Sequence, residues 1–316
     1  MNDSPFIAVA RAGKNNFLRY VFSVFFVIFL VVSGSVVVAI ALGLSGINPT
    51  AALTGAPALL YFTLNLALFG VVWLGLWLCL PRIHQRPFMT LVNPTRRFNW
   101  GRFWLGAGLW LAINIAYNLV FAVLKPGYYT WSLDLPAFLP YLLVGLLLFP
   151  IQAGAEELFF RGYLTQGLGL VNGWLGWLVP AVVFGLLHSF NPEVGAYGLL
   201  LTLPVYVGMG LLFGWITLRS GSLELALGVH ILNNLYAGLL TRIPDSAIQT
   251  EALFTVEKYD ALAEMLAFFA CALIFVLIIE AILRRAPRSG SQGPFASLLG
   301  VLVAGSMVMR DRKSVV

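Results

Sequence analysis

Charge is what this sequence has least of. Only 10% of its 316 residues are Asp, Glu, Lys or Arg, against about 25% in an average soluble domain. So few charges cannot cover a water-facing surface, and a soluble globular protein is excluded. Cysteine is scarce as well. Cys79 and Cys271 both lie inside apolar runs, and neither has a Cys or His partner at metal-ligand spacing. That excludes a disulfide scaffold and a zinc ribbon, and it leaves two core thiols. Basic tracts interleaved with aromatics are missing. The net charge of +6 therefore points to basic loops beside a membrane and not to nucleic acid. Gly167-Leu168-Gly169 and Gly208-Met209-Gly210 lack the strand and helix context of a nucleotide loop. They read as a turn and a close helix contact.

Apolar residues are abundant, at 60% of the chain. A membrane-spanning helix needs ~20 of them in a run. Eight such spans are expected near 17–44, 58–80, 103–124, 140–168, 174–191, 198–218, 222–241 and 261–283. The expected fold is all-α, a single polytopic membrane domain of about eight transmembrane helices, with a cytosolic tail from 284 to 316. The first run is too long for a signal-peptide core and reads as a retained span. Arg11, Lys14, Arg19, Arg82, Arg86, Arg96, Arg97, Arg102, Arg219, Arg284, Arg285 and Arg288 all fall on one side of this arrangement. The loops 45–57, 125–137 and 242–260 are poor in Lys and Arg. The positive-inside bias puts both termini in the cytosol, and the expected location is a bacterial cytoplasmic membrane. The short apolar stretch Phe295 to Met309 reads as interfacial or loosely docked.

A few polar residues sit where lipid makes them costly. Span four carries Glu156, Glu157 and Arg161. A charge at the centre of a spanning helix costs roughly 2.5–3.5 kcal/mol on insertion scales. Glu157 and Arg161 are four apart and make a natural ion pair, mainly structural. Glu156 lies about 100° round the helix and must look into the protein for its partner. Of three histidines, His84 lies in a basic loop and reads as a surface residue. His188 lies in span five, and His230 in span seven with Asn234 on the same face. Measured from the cytosolic helix ends at 1.5 Å per residue, Glu156, His188, His230 and Asn234 lie ~18, ~21, ~12 and ~18 Å deep. Asn191-Pro192 breaks span five just beyond His188, which requires a protein-lined or cavity-lined setting. Arg219 and Glu224 read as interfacial.

A carboxylate and an imidazole sharing a water form a general-base pair. An imidazole and an amide on one helix face can stabilise an oxyanion. Glu156, His188, His230 and Asn234 thus suffice for water attack on a peptide carbonyl. Glu156, His188 and His230 also form a familiar ligand set for a divalent metal such as zinc, and the residues alone leave both readings open. A proton or ion relay is a third, although no inverted repeat or paired broken helices accompany it. A serine intramembrane protease fits less well, because Ser220-Gly221-Ser222 lies at a helix start.

Glu-Glu-x-x-x-Arg at 156–161, Phe-x-x-x-His at 184–188 and His-x-x-x-Asn at 230–234 resemble, in order, the three motifs of the CPBP intramembrane proteases. That family holds the CAAX prenyl endopeptidases and bacteriocin-processing enzymes, also called Abi. The approach Arg219-Ser220-Gly221-Ser222-Leu223 is similar too. The resemblance spans 140–241, the expected catalytic core. It implies an eight-helix fold with a polar cavity open to the cytosol. It further implies that Glu156 and His188 activate water, that His230 and Asn234 stabilise the oxyanion, and that Glu157 and Arg161 support them. The implied activity is a metallo- or glutamate endopeptidase acting on membrane-anchored or lipidated peptides. A non-catalytic immunity or scaffold protein of the same family is the alternative.

Overall fold

The computed structural model describes residues 4–48, 53–243 and 245–285. The apolar stretch 295–309, and the tail from residue 286 on, lie outside them. Eight long helices dominate the described residues. α1 is Phe17–Leu44, and α2 is Gly55–Leu68 continued by Gly70–Arg82. α3 is Trp100–Leu124. α4 is Leu135–Glu156, prolonged by a π-helical segment Glu157–Leu164 and by Thr165–Gly169. α5 is Gly173–Leu187, ending in a 3-10 turn His188–Phe190. α6 is Leu199–Ser220, α7 is Glu224–Leu235 with a π turn Tyr236–Leu240, and α8 is Ala261–Arg285. Seven are long and apolar enough to cross a membrane. The protein is an all-α polytopic membrane protein.

Local chemistry sets the helix starts. Asn16, Asn99, Asp134 and Asn172 each cap a helix by accepting a backbone N–H with the side chain, which satisfies donors left free in the first turn. Phe22, Phe25, Phe29 and Val36 project outward from α1. Such residues meet lipid without penalty, so the polar groups are gathered inside.

α7 is the exception that organises the rest. Every residue from Glu224 to Ile231 is buried. It is shorter and more polar than the others because its neighbours are helices instead of lipid. Two glycines let α3 approach it: a Cβ at Gly228 would stand 2.1 Å from Phe103 O, and one at Gly106 would stand 2.4 Å from Leu225 O. α5 and α6 cross in the same way, since a Cβ at Gly210 would meet Ala181 O at 2.7 Å. Small residues at crossings are the membrane solution to close packing. The reading of Gly208–Gly210 as a close contact holds. Gly167 and Gly169 belong instead to the last turns of α4.

The basic loops come together at one end of the bundle, and there the structure departs from two expectations. His84 is not a surface residue but fully buried. The segment before α1 folds across it, with Phe6, Ile7 and Ala10 buried and Ser4 Oγ donating to Leu218 O at 3.3 Å. His84 Nδ1–H donates to Lys14 O (2.9 Å), and its Nε2 accepts from Tyr163 Oη (2.8 Å). Arg86, 2% exposed, donates to Gln166 Oε1 at 2.6 Å. Glu224 is buried too. It accepts from Asn93 Nδ2 (2.6 Å) and Asn99 N (3.0 Å), tying the 93–99 loop to α7. The partners come from α4, the N-terminal segment and the 93–99 loop. Arg219 is half-exposed, in a bidentate pair with Glu280.

At the opposite end a small sheet, unforeseen from the apolar runs, joins three loops. Its strands are β1 (Tyr129–Trp131), β2 (Thr241–Arg242) and β3 (Phe254–Val256), in the order β1-β3-β2. β1 runs antiparallel and β2 parallel to β3. Cys79 and Cys271 are free and buried.

Candidate active site

The polar residues of α4 and α7 meet inside the bundle. Arg161 Nη1 donates to Glu157 Oε1 at 2.9 Å, with both side chains out of solvent. The pair expected from the i,i+4 spacing therefore exists. The backbone around it is π-helical, a distortion that often marks functional positions. Arg161 is further held by rings: its Cζ lies 4.2 Å from the centroid of Phe184 and 5.1 Å from that of Phe213. A buried guanidinium facing aromatic rings is favoured by their negative faces.

Glu157 also binds His230, whose Nδ1 stands 2.8 Å from the same Oε1. An ionised carboxylate only accepts, so Nδ1 carries the proton there. The ring stacks on Phe213 with centroids 4.9 Å apart. His230 Nε2 is thereby aimed at Glu156, 3.5 Å from Oε2. Glu156 Oε1 is taken by Gln152 Nε2 at 2.7 Å, while Oε2 has no hydrogen bond within the protein. Asn234 lies one turn past His230, and its Nδ2 donates to Gln152 Oε1 at 2.7 Å. Glu156, Glu157, Arg161, His230 and Asn234 thus form one connected cluster.

His188 stands apart from that cluster by one cavity. It ends the α-helical part of α5, where its Nδ1–H donates to Phe184 O at 2.7 Å. Its ring stacks on Tyr206 with centroids 4.4 Å apart. Among the described residues no hydrogen bond joins it to Glu156. Both instead line a cavity of about 430 Å³, together with Asn191 and a wall of apolar side chains from α1, α2, α4 and α5. The break at Asn191-Pro192 does face a cavity, as its position in the membrane demanded. The walls of that cavity are mostly apolar, in contrast to the polar cavity that the resemblance implied. Val27, Val31, Phe69, Val72 and Phe159 are among them.

Among the described residues no three His, Cys, Asp or Glu side chains converge to hold an ion. His230 commits Nδ1 to Glu157 and His188 commits Nδ1 to a backbone carbonyl, so Nε2 is the donor atom each has left.

Gln152 was missed in the linear reading. Its one signal was position, a turn before Glu156 on the same face of α4. Asn233 and Trp110 were missed as well: Trp110 Nε1 donates to Asn233 Oδ1 at 3.1 Å.

Residues 137–236 match the family model described as type II CAAX prenyl endopeptidase Rce1-like. This stretch runs from the start of α4 to the end of α7 and contains the whole cluster. The chain is also 32% identical over 276 residues to "Uncharacterized protein YyaK" of Bacillus subtilis (strain 168), covering 84% of this chain and 91% of that protein. The chain belongs to the Rce1-like CAAX endopeptidase family. The likeness to YyaK reaches well beyond the stretch that the family model matches. No solved structure matches the chain. Rce1-like proteins are a protease family, and in this member the first and third motifs build a buried polar cluster that His188 of the second motif faces across a cavity.

Proposed function

We propose that this protein is an intramembrane endopeptidase that hydrolyses a peptide bond of a membrane-tethered substrate, with Glu156 as general base. The observation that carries this reading is the state of the Glu156 carboxylate. One oxygen is held by Gln152, and the other, unbonded, lies beside His230 Nε2 at the edge of the cavity. Glu157 and Glu224 also leave Oε2 without a partner, but of these three carboxylates Glu156 alone lines the cavity.

In this mechanism the substrate carbonyl lies in the cavity near Glu156. Glu156 Oε2 takes a proton from water, and the water oxygen bonds to the carbonyl carbon. Asn234 has a second Nδ2–H beyond the one given to Gln152, and it donates to the oxyanion. The C–N bond then breaks, and Glu156 returns its proton to the leaving amine. His188 keeps Nε2 free as an acceptor, because Nδ1 carries its proton toward Phe184 O. From across the cavity it orients the water. Glu157 and Arg161 hold His230 in place. No step runs through a metal.

The apolar cavity wall suits an acyl or prenyl chain, or an apolar peptide segment, so the substrate class is a membrane-anchored or lipidated peptide. The basic end of the bundle faces the cytosol in this reading, which places both termini there in a bacterial cytoplasmic membrane. The decisive experiment is cleavage of a fluorogenic, membrane-anchored peptide panel by protein reconstituted in lipid, wild type beside Glu156→Gln. Turnover by wild type alone supports the assignment. Equal rates, or no cleavage by wild type, sink it.

A further inference from the structure

The hydrogen-bond chain behind Glu156 has only one possible direction. Trp110 Nε1–H can only donate, and it meets Asn233 Oδ1 at 3.1 Å. Asn233 must therefore present its NH2 onward, and it reaches Asn234 Oδ1 at 3.3 Å. Asn234 then turns Nδ2 to Gln152 Oε1 at 2.7 Å. Gln152 is left with Nε2 for Glu156 Oε1, also at 2.7 Å. A carboxylate oxygen only accepts, so the chain ends there. A donor-only group at one end and an acceptor at the other leave no amide free to flip. The chain links α3, α7 and α4, and Trp110 is 3% exposed, so its anchor is fixed by packing.

We propose that Gln152 is a positioning residue for this reaction: by holding Glu156 Oε1 and Asn234 Nδ2 at once, it selects Oε2 as the working oxygen and locks base and oxyanion donor in one frame. The inference rests on the endopeptidase reading. Gln152 is suited to this task because an amide donates and accepts along one side chain. Its position one turn before Glu156 keeps the frame within α4 and free of the cavity. Gln152 does not line the cavity; it acts through Glu156 and Asn234.

The test pairs kinetics with infrared spectroscopy on the full-length protein in lipid. The difference spectrum of wild type against Glu156→Gln isolates the Glu156 carboxylate stretch. Gln152→Met keeps the side-chain volume and removes both hydrogen bonds. We expect it to shift that band and to lower kcat about ten- to hundredfold, with KM and unfolding temperature near wild type. Gln152→Glu, which keeps the acceptor for Asn234 but sets an oxygen against Glu156, should lose more. An unmoved band, an unchanged kcat, or a loss confined to KM overturns the proposal. A wild type that cleaves no peptide sinks the endopeptidase reading and the reaction role of Gln152 with it. In that case the band alone reports whether Gln152 holds Glu156.

Discussion

His230 Nε2 stands 3.5 Å from Glu156 Oε2. The approach joins the first and third motifs across the α4–α7 interface, and it depends on the other face of the ring. Glu157, itself paired to Arg161, holds Nδ1 at 2.8 Å, so the imidazole cannot turn. The result is a row of alternating roles: an aromatic-caged cation, a carboxylate, an imidazole and a second carboxylate.

Glu156→Gln removes the base while keeping its size and its contact with Gln152. The cleavage rate should fall about 10²–10⁴-fold, with the unfolding temperature close to wild type. Rates measured on reconstituted protein beside tryptophan-fluorescence melting check this. A variant that cleaves normally would remove Glu156 from the mechanism.

Arg161→Met leaves Glu157 as a buried, uncompensated carboxylate. Breaking one side of a buried pair costs about 3–5 kcal/mol. The double variant Glu157→Gln/Arg161→Met should recover much of that, since no lone charge remains. Unfolding in detergent followed by fluorescence reads both. Single and double variants of equal stability would show that the pair carries no such coupling.

Treatment with phenanthroline should leave the cleavage rate unchanged, because Glu156, His188 and His230 do not converge as ligands. A loss of activity that added zinc restores would mean that the donors rearrange around an ion.

His84 makes stability depend on pH. Burial, reinforced by the charges of Arg86 and Arg19, holds its imidazole down to about 4, against 6.5 for an ordinary histidine, despite the bond to Lys14 O that favours the charged form. The folded imidazole therefore stays neutral where the unfolded one takes up a proton. Stability is full above about 6.5 and declines as pH falls through that value toward 4. Melting temperatures across this window should drop less steeply in His84→Gln, whose amide can still donate to Lys14 O and accept from Tyr163. Parallel curves for the two proteins would assign the pH dependence elsewhere.

Much of the molecule was legible in one dimension because its causes are local. Apolar runs of spanning length mark seven of the eight helices, all but α7, and Asn and Asp caps stand at four of the starts. Glu157 and Arg161 pair because they are four residues apart on one helix. The depth of Glu156, His230 and Asn234 follows from counting residues at a fixed rise. Other features depend on contacts between distant segments, which carry no local signature. His84 and Glu224 look like solvated loop charges until the N-terminal segment and the 93–99 loop fold over them. The sheet of β1, β2 and β3 draws on three loops whose short strands have no apolar periodicity.

The chain of residue types by itself determined a membrane bundle with ionisable groups at matched depth on α4, α5 and α7, since hydropathy and helical rise act along a single segment. Only the tertiary structure decided which of those groups touch. Helix rotation, the π-helical turn after Glu156 and the glycine crossings of α7 bring His230 to Glu156, put Gln152 between Glu156 and Asn234, and leave His188 across a cavity. Those distances arise from packing between helices, where a small change of rotation moves a side chain from contact to separation.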